Sequence, residues 1–138
     1  MKLAQRLKKM IVLFFIDLDR LKWINDTLGH PEGDLALINT GNVLRKTFRE
    51  SDIIARVGGD EFVVLALNSF EERTEAVVSR LKSNLLAFNA ENQGSYPLSF
   101  SIGVASSGNE EPRSIDELQA EADQRMYENK KAKFQNSI

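Results

Sequence analysis

The sequence predicts an α/β (α+β) domain, a mostly antiparallel sheet with helices packed on it, from three observations. An unbroken apolar run, Ile11 to Ile16, is short and rich in β-branched and aromatic residues, the pattern of a buried central strand. Two more β-prone runs, Ile53-Ile54-Ala55 with Val57 and Phe62 to Leu65, flank Gly58-Gly59-Asp60-Glu61. They read as a hairpin, because glycine takes positive φ without steric cost. The remaining stretches carry apolar residues at helical spacing. A chain of 138 residues is one domain with a single substantial core.

Taken in order, the first strand leads to a short helix, about Leu21 to Leu28, whose start Asp19 is placed to cap. A longer helix follows, about Asp34 to Arg49, burying Leu37, Leu44 and Phe48. After the hairpin, Ser69-x-x-Glu72 reads as a capping box for a helix with the apolar stripe Val78, Leu81, Leu85 and Phe88. A turn-rich loop from Glu91 to Pro97 enters a strand at about Leu98 to Ala105. The last helix opens with a second capping box, Ser114-x-x-Glu117, and buries Ile115, Leu118, Ala122 and Met126.

Composition excludes several chemistries. There is no cysteine, so disulfides, thiolate catalysis and cysteine zinc sites are absent. A single histidine makes a hydrolytic triad improbable. Net charge of −2 and an isoelectric point of about 5.5 lack the basic footprint of a nucleic-acid binder. No run approaches a membrane span, and the one at Ile11 is too short for a signal-peptide core. The expected location is the cytoplasm.

The informative residues are carboxylates. Asp60 and Glu61 are adjacent on a tight turn that needs at most one of them. Asp17 and Asp19 sit where the first strand leaves the core, and Asp17 has no local structural duty. Paired carboxylates on a rigid hairpin suit a hard divalent cation, which takes oxygen ligands and is often shared with substrate phosphates. An EF-hand reading of Asp17-x-Asp19 fails, because Lys22 occupies the position that requires glycine.

Three ordered blocks resemble one family. The stretch Asp17-Leu-Asp-Arg-Leu-Lys-Trp-Ile-Asn25-Asp-Thr-Leu-Gly-His-Pro-Glu-Gly-Asp34 is similar to the signature of GGDEF-domain diguanylate cyclases. Arg56-Val-Gly-Gly-Asp-Glu-Phe matches the motif that names them, and Ala122-Asp123-Gln-Arg-Met-Tyr127-Glu-Asn-Lys130 resembles their last helix. The resemblance implies a palm-like fold similar to nucleotide cyclases and polymerases. It implies condensation of two GTP into cyclic di-GMP across a homodimer, with two Mg²⁺ or Mn²⁺ per active site. Metal ligands would be Asp17, Asp60 and the Leu18 backbone carbonyl, with Glu61 as a further ligand or as the base for a 3′-hydroxyl. Asn25 and Asp34 match the guanine-reading positions, Leu37 the apolar side chain under the base, and Gly58 and Gly59 the substrate-lining turn. Lys22 and Lys130 match phosphate-contacting lysines. Arg49-Glu50-Ser51-Asp52 has the RxxD pattern of an inhibitory product site, and Arg80 is a candidate second arginine for it.

Two departures bear on turnover. The family's DxLTGLxNR-like opening segment does not precede the first strand, so the chain is expected to be an N-terminal truncation and Arg56 to lack its usual acidic partner. Phe134 stands where the family often has a phosphate-contacting arginine, leaving Lys131 or Lys133 to compensate. The alternative reading is a catalytically weak or inactive domain that senses GTP or cyclic di-GMP.

Overall fold

The computed structural model describes residues 9–69, 74–92, 96–108 and 112–135. In chain order these form β1 (Lys9–Leu18), α1 (Leu21–Leu28), α2 (His30–Thr47), β2 (Ile53–Arg56), β3 (Glu61–Ser69), α3 (Thr74–Glu91), β4 (Phe100–Ser107) and α4 (Ile115–Gln135). The four strands make one sheet in the order β2-β3-β1-β4, with every neighbouring pair antiparallel.

β1 runs through the middle of this sheet, and its alternating side chains serve two cores. Val12, Phe14, Ile16 and Leu18 face one way, into a cluster with Ile24 of α1, Leu44 of α2, Phe48 just after it and Leu81 of α3. Phe14 meets Phe48 edge-on, with ring centroids 5.0 Å apart. Leu13 and Phe15 face the other way, against Leu118, Ala122 and Met126 of α4. An unbroken apolar strand is therefore what this position demands.

Several expected boundaries move, each for a local reason. α2 starts at His30, because Gly29 at φ 97° turns the chain out of α1 and Pro31 follows at the first turn. Leu37 is only partly buried, whereas Leu44 and Phe48 lie in the core. α3 begins at Thr74, and Ser69 is the last residue of β3; Glu72 lies outside the described residues. β4 begins two residues late because the Asn89 side chain holds Leu98 first. Its amide donates to the Leu98 carbonyl and its Oδ1 accepts from the Leu98 N–H, both at 2.9 Å. The second capping box is present, with Ser114 Oγ accepting from the Glu117 N–H and Glu117 Oε1 from the Ser114 N–H, each at 3.1 Å. Ile115, expected inside, is 54% exposed on the first turn of α4.

α4 lies close on β4 because position 103 has no side chain. A methyl group there would overlap the Ala122 carbonyl oxygen and the Met126 amide nitrogen. Both are backbone atoms that cannot swing aside. Gly103→Ala is expected to cost about 3 kcal/mol or more by lifting α4 off the sheet. Ser114→Ala, which removes one cap, should cost about 1 kcal/mol. Chemical denaturation of the two variants against wild type measures the contrast, and equal stabilities would contradict it.

Candidate active site

The β2–β3 loop and the end of β1 meet at one end of the sheet. Val57 N–H bonds the Glu61 carbonyl at 2.9 Å, so Gly58, Gly59 and Asp60 form the loop. Arg56 braces it from within, donating to the Gly58 carbonyl at 3.1 Å and the Gly59 carbonyl at 2.8 Å. These carbonyls occupy the fork of Arg56, which was expected to lack its usual acidic partner. Neither Gly58 nor Gly59 has positive φ, so the hairpin does not need them for that. Their value is space. A Cβ on Gly58 would stand 2.6 Å from Glu61 Oε1, and one on Gly59 would meet nothing within 4 Å.

Antiparallel register sets Asp17 opposite Glu61, and the Leu18 N–H donates to the Asp60 carbonyl at 2.9 Å. In a strand, a residue's N–H and C=O point to the same side, so the Leu18 carbonyl is directed at the loop too. Asp17 is buried. Its Oδ2 accepts from Lys130 Nζ of α4 at 2.8 Å, while its Oδ1 has no hydrogen-bond partner. Burial raises its pKa from 3.8 to about 6, and the Asp60 charge pushes the same way against the Lys130 hydrogen bond. Burial also raises Glu61, with Asp60 and Asp123 adding to it. Burial pulls Lys130 down, but its bond to Asp17 and the charges of Asp17, Asp19 and Asp60 together outweigh this, and the net shift is upward.

Asp19, two residues on, is a different case. It makes no cap on α1, whose N-cap is Arg20. Its fully buried carboxylate accepts from Ser99 Oγ at 2.7 Å, Ser101 Oγ at 2.6 Å and Lys133 Nζ at 2.8 Å. Lys133 also donates to the Phe100 carbonyl. Asp19 is thus satisfied by protein alone, and Lys133 is committed to it rather than offered to a ligand. Sequence reasoning missed this network. Its one signal was Ser101, a polar residue between the apolar Phe100 and Ile102 of β4.

Among the described residues, no three His, Cys, Asp or Glu side chains close into a metal cage. Mg²⁺ does not need one, since it usually takes one or two carboxylates, waters and substrate phosphates. An orphaned buried carboxylate oxygen, a second carboxylate and a directed carbonyl form a hard-oxygen donor set that fits such an ion.

The other predicted residues fall into two further groups. Asn25 lies so close over Gly33, in the first turn of α2, that a methyl at position 33 would overlap its Oδ1. Asp34 is the next residue and is exposed, Leu37 follows within a turn, and Lys22 shares the Asn25 face of α1. At the C-terminal end of α2, the Arg49 N–H bonds Asp52 Oδ2 at 2.9 Å. The Arg49 guanidinium reaches the Leu67 carbonyl at 3.3 Å and stands 4.0 Å from that carboxylate. Arg80 donates to the Thr47 carbonyl at 3.1 Å, two residues before Arg49.

A raised carboxylate pKa means the fold prefers Asp17 protonated. Its penalty is relieved below its unfolded value near 3.8 and fully felt above about 6. Without metal, Asp17→Asn should therefore raise stability at pH 7.5 by about 1–2 kcal/mol, with the gain fading toward pH 5. Thermal melts across this range, with chelator present, measure it. A variant less stable than wild type at pH 7.5 would contradict the assignment. With excess Mn²⁺, the wild type alone should be stabilised.

The model of the family described as "Diguanylate cyclase, GGDEF domain" matches residues 1–136 of the chain. The chain is 33% identical over 142 residues to the probable diguanylate cyclase DgcJ of Escherichia coli K12, covering 99% of itself but 27% of that protein's length. The GGDEF domain of TpbB (YfiN, PA1120) from Pseudomonas aeruginosa superposes with a TM-score of 0.78 at 33% identity, covering 95% of this chain and 77% of that one. A microbial GGDEF domain described for its interaction with bis-(3′,5′)-cyclic di-GMP superposes at 0.75 with 31% identity, covering 95% and 79%. With its motif residues on β1, the β2–β3 loop and α4, and with that match across nearly its whole length, the chain belongs to the GGDEF-domain family of diguanylate cyclases.

Proposed function

We propose that this chain is a diguanylate cyclase domain that condenses two GTP into cyclic di-GMP and releases two pyrophosphates. The observation that carries this reading is Asp17, a buried carboxylate with one oxygen unpartnered, opposite Glu61 at the start of β3 and beside the loop that bears Asp60. Asp17, Asp60 and the Leu18 carbonyl would hold Mg²⁺ or Mn²⁺, two per site, with Glu61 alongside. Such ions polarise the α-phosphate and lower the pKa of an attacking hydroxyl. Without them, Lys130 partly neutralises Asp17, and on substrate binding it would transfer its charge to phosphate.

The chain's own side chains supply recognition and proton handling. Asp34 would accept from guanine N1–H and the exocyclic amine, donors that adenine does not present together. Asn25 would bond the same base, Leu37 would pack against it, and Lys22 would join Lys130 on the phosphates. The open space at Gly59 and the small Gly58 leave room for the nucleotide against the loop. In each step the 3′-hydroxyl of one GTP attacks the α-phosphorus of the other. An O–P bond forms as the bond to pyrophosphate breaks, and the hydroxyl proton passes to Glu61. The upward shift of Glu61 makes it a better base near neutral pH. Because each protomer would hold one GTP, the reaction needs a two-fold homodimer, and a monomer should be inactive.

Cyclic di-GMP is also the proposed inhibitor, bound by Arg49 and Asp52 with Arg80 contributing. Arginine's planar fork suits guanine edges and phosphates, and the Arg49 side chain is 48% exposed. A second reading, a sensor that binds guanine nucleotide without turnover, is favoured by Lys130 seated on Asp17.

Incubation of the purified chain with GTP and Mg²⁺ should yield cyclic di-GMP by chromatography, and Asp60→Ala should reduce it at least 100-fold. Product that survives Asp60→Ala would refute the metal assignment, while tight GTP binding without product would favour the sensor. Calorimetry of Arg49→Ala should show cyclic di-GMP binding lost; unchanged affinity would sink the inhibitory site.

A further inference from the structure

Arg20 is the one non-glycine residue with positive φ among the described residues, at φ 63° and ψ 26°. That conformation is unfavourable for a long L side chain, and such outliers persist where function maintains them. Nothing local repays it, since the Arg20 side chain makes no capping bond on α1. The guanidinium instead lies 5.2 Å from the centroid of the Phe134 ring on α4. Stacking engages the flat face of a guanidinium and leaves its N–H edge for an anion. The neighbouring acid does not consume this charge, because Asp19 is already saturated by Lys133, Ser99 and Ser101.

Phe134 follows Lys130 by one helical turn, on the same face of α4 and about 6 Å along it. One helix therefore presents a cation directly at 130 and, through a ring, seats a second at 134. The first intrahelical bond of α1 is from the Ile24 N–H to the Arg20 carbonyl, at 3.0 Å. The amides of Leu21, Lys22 and Trp23 thus precede the helical ladder, and their positive end attracts anions. Beside them opens a cavity of about 500 Å³ lined by Arg20, Trp23, Tyr96, Lys133 and Phe134.

We propose that Arg20, seated on Phe134, binds the terminal phosphates of the nucleoside triphosphate, a role that rests on the GTP reading above.

The test uses a GTP analogue with methylene in place of the α,β-bridging oxygen, so that no pyrophosphate can leave, and GMP, which lacks the terminal phosphates. With Mg²⁺ present, Arg20→Ala should weaken the analogue about tenfold and GMP less than twofold. Phe134→Leu should weaken the analogue in the same direction by a smaller factor. Arg20→Gly should lose as much affinity as Arg20→Ala while melting no lower than wild type, because glycine relieves the left-handed backbone. Equal loss for both ligands, or none, would overturn the proposal, and so would a melting temperature of Arg20→Gly below wild type. If wild type binds the analogue and Arg20→Ala binds it equally well, only this role falls. If wild type binds neither nucleotide, the GTP reading falls with it.

Discussion

The antiparallel register of β1 against β3 is the constraint on which the rest of the structure depends. It sets Asp17 opposite Glu61 and ties the Leu18 amide to Asp60. A slip of one residue would turn Asp17 into the core that holds Leu18 and Ile16, and bring those side chains to the α4 face. Such a slip is forbidden because both faces of β1 are packed, Val12, Phe14, Ile16 and Leu18 on one side and Leu13 and Phe15 on the other. The strand's hydrophobicity thus holds two carboxylates in a position that electrostatics alone would reject.

α4 is the second dependency. It reaches the site because Gly103 lets its backbone lie almost on β4, and it then delivers Lys130 to Asp17 and Lys133 to Asp19. The two aspartates show how environment separates identical chemistry. Asp19 has two hydroxyls and an ammonium and is finished as a structural anchor. Asp17 has one ammonium, one bare oxygen and a like charge nearby, so its ionised form is held at a cost. A site that lacks one cation's worth of neutralisation is poised for a cation or for a ligand that brings one.

Strain and charge are concentrated together here. The left-handed Arg20, the crowded carboxylates and the open Gly59 all lie within the turn-and-loop end of the sheet. The opposite features, continuous apolar packing and a complete capping box on α4, lie elsewhere. This division is what a stability–function trade-off predicts, because a preorganised polar site is maintained by packing around it.

The sequence by itself determined the elements whose causes are local or periodic. The β1 run, the hairpin at Gly58-Gly59-Asp60, α1 and the Ser114–Glu117 box are legible because period and side-chain chemistry act within a few residues. So were Asp17, Asp60 and Glu61 as one candidate cluster, since two carboxylates too many for their turns need an outside reason. Only the tertiary structure decided what depends on distant partners. Asp19 looked like a helix cap until Ser99, Ser101 and Lys133, some eighty to more than a hundred residues away, arrived around it. β4 begins late because of Asn89 on another element, and Arg56 grips loop carbonyls that no spacing identifies. Gly103 and the pairing of Arg20 with Phe134 were equally silent in one dimension. Their meaning lies in how closely two elements approach, and a sequence carries no record of that separation.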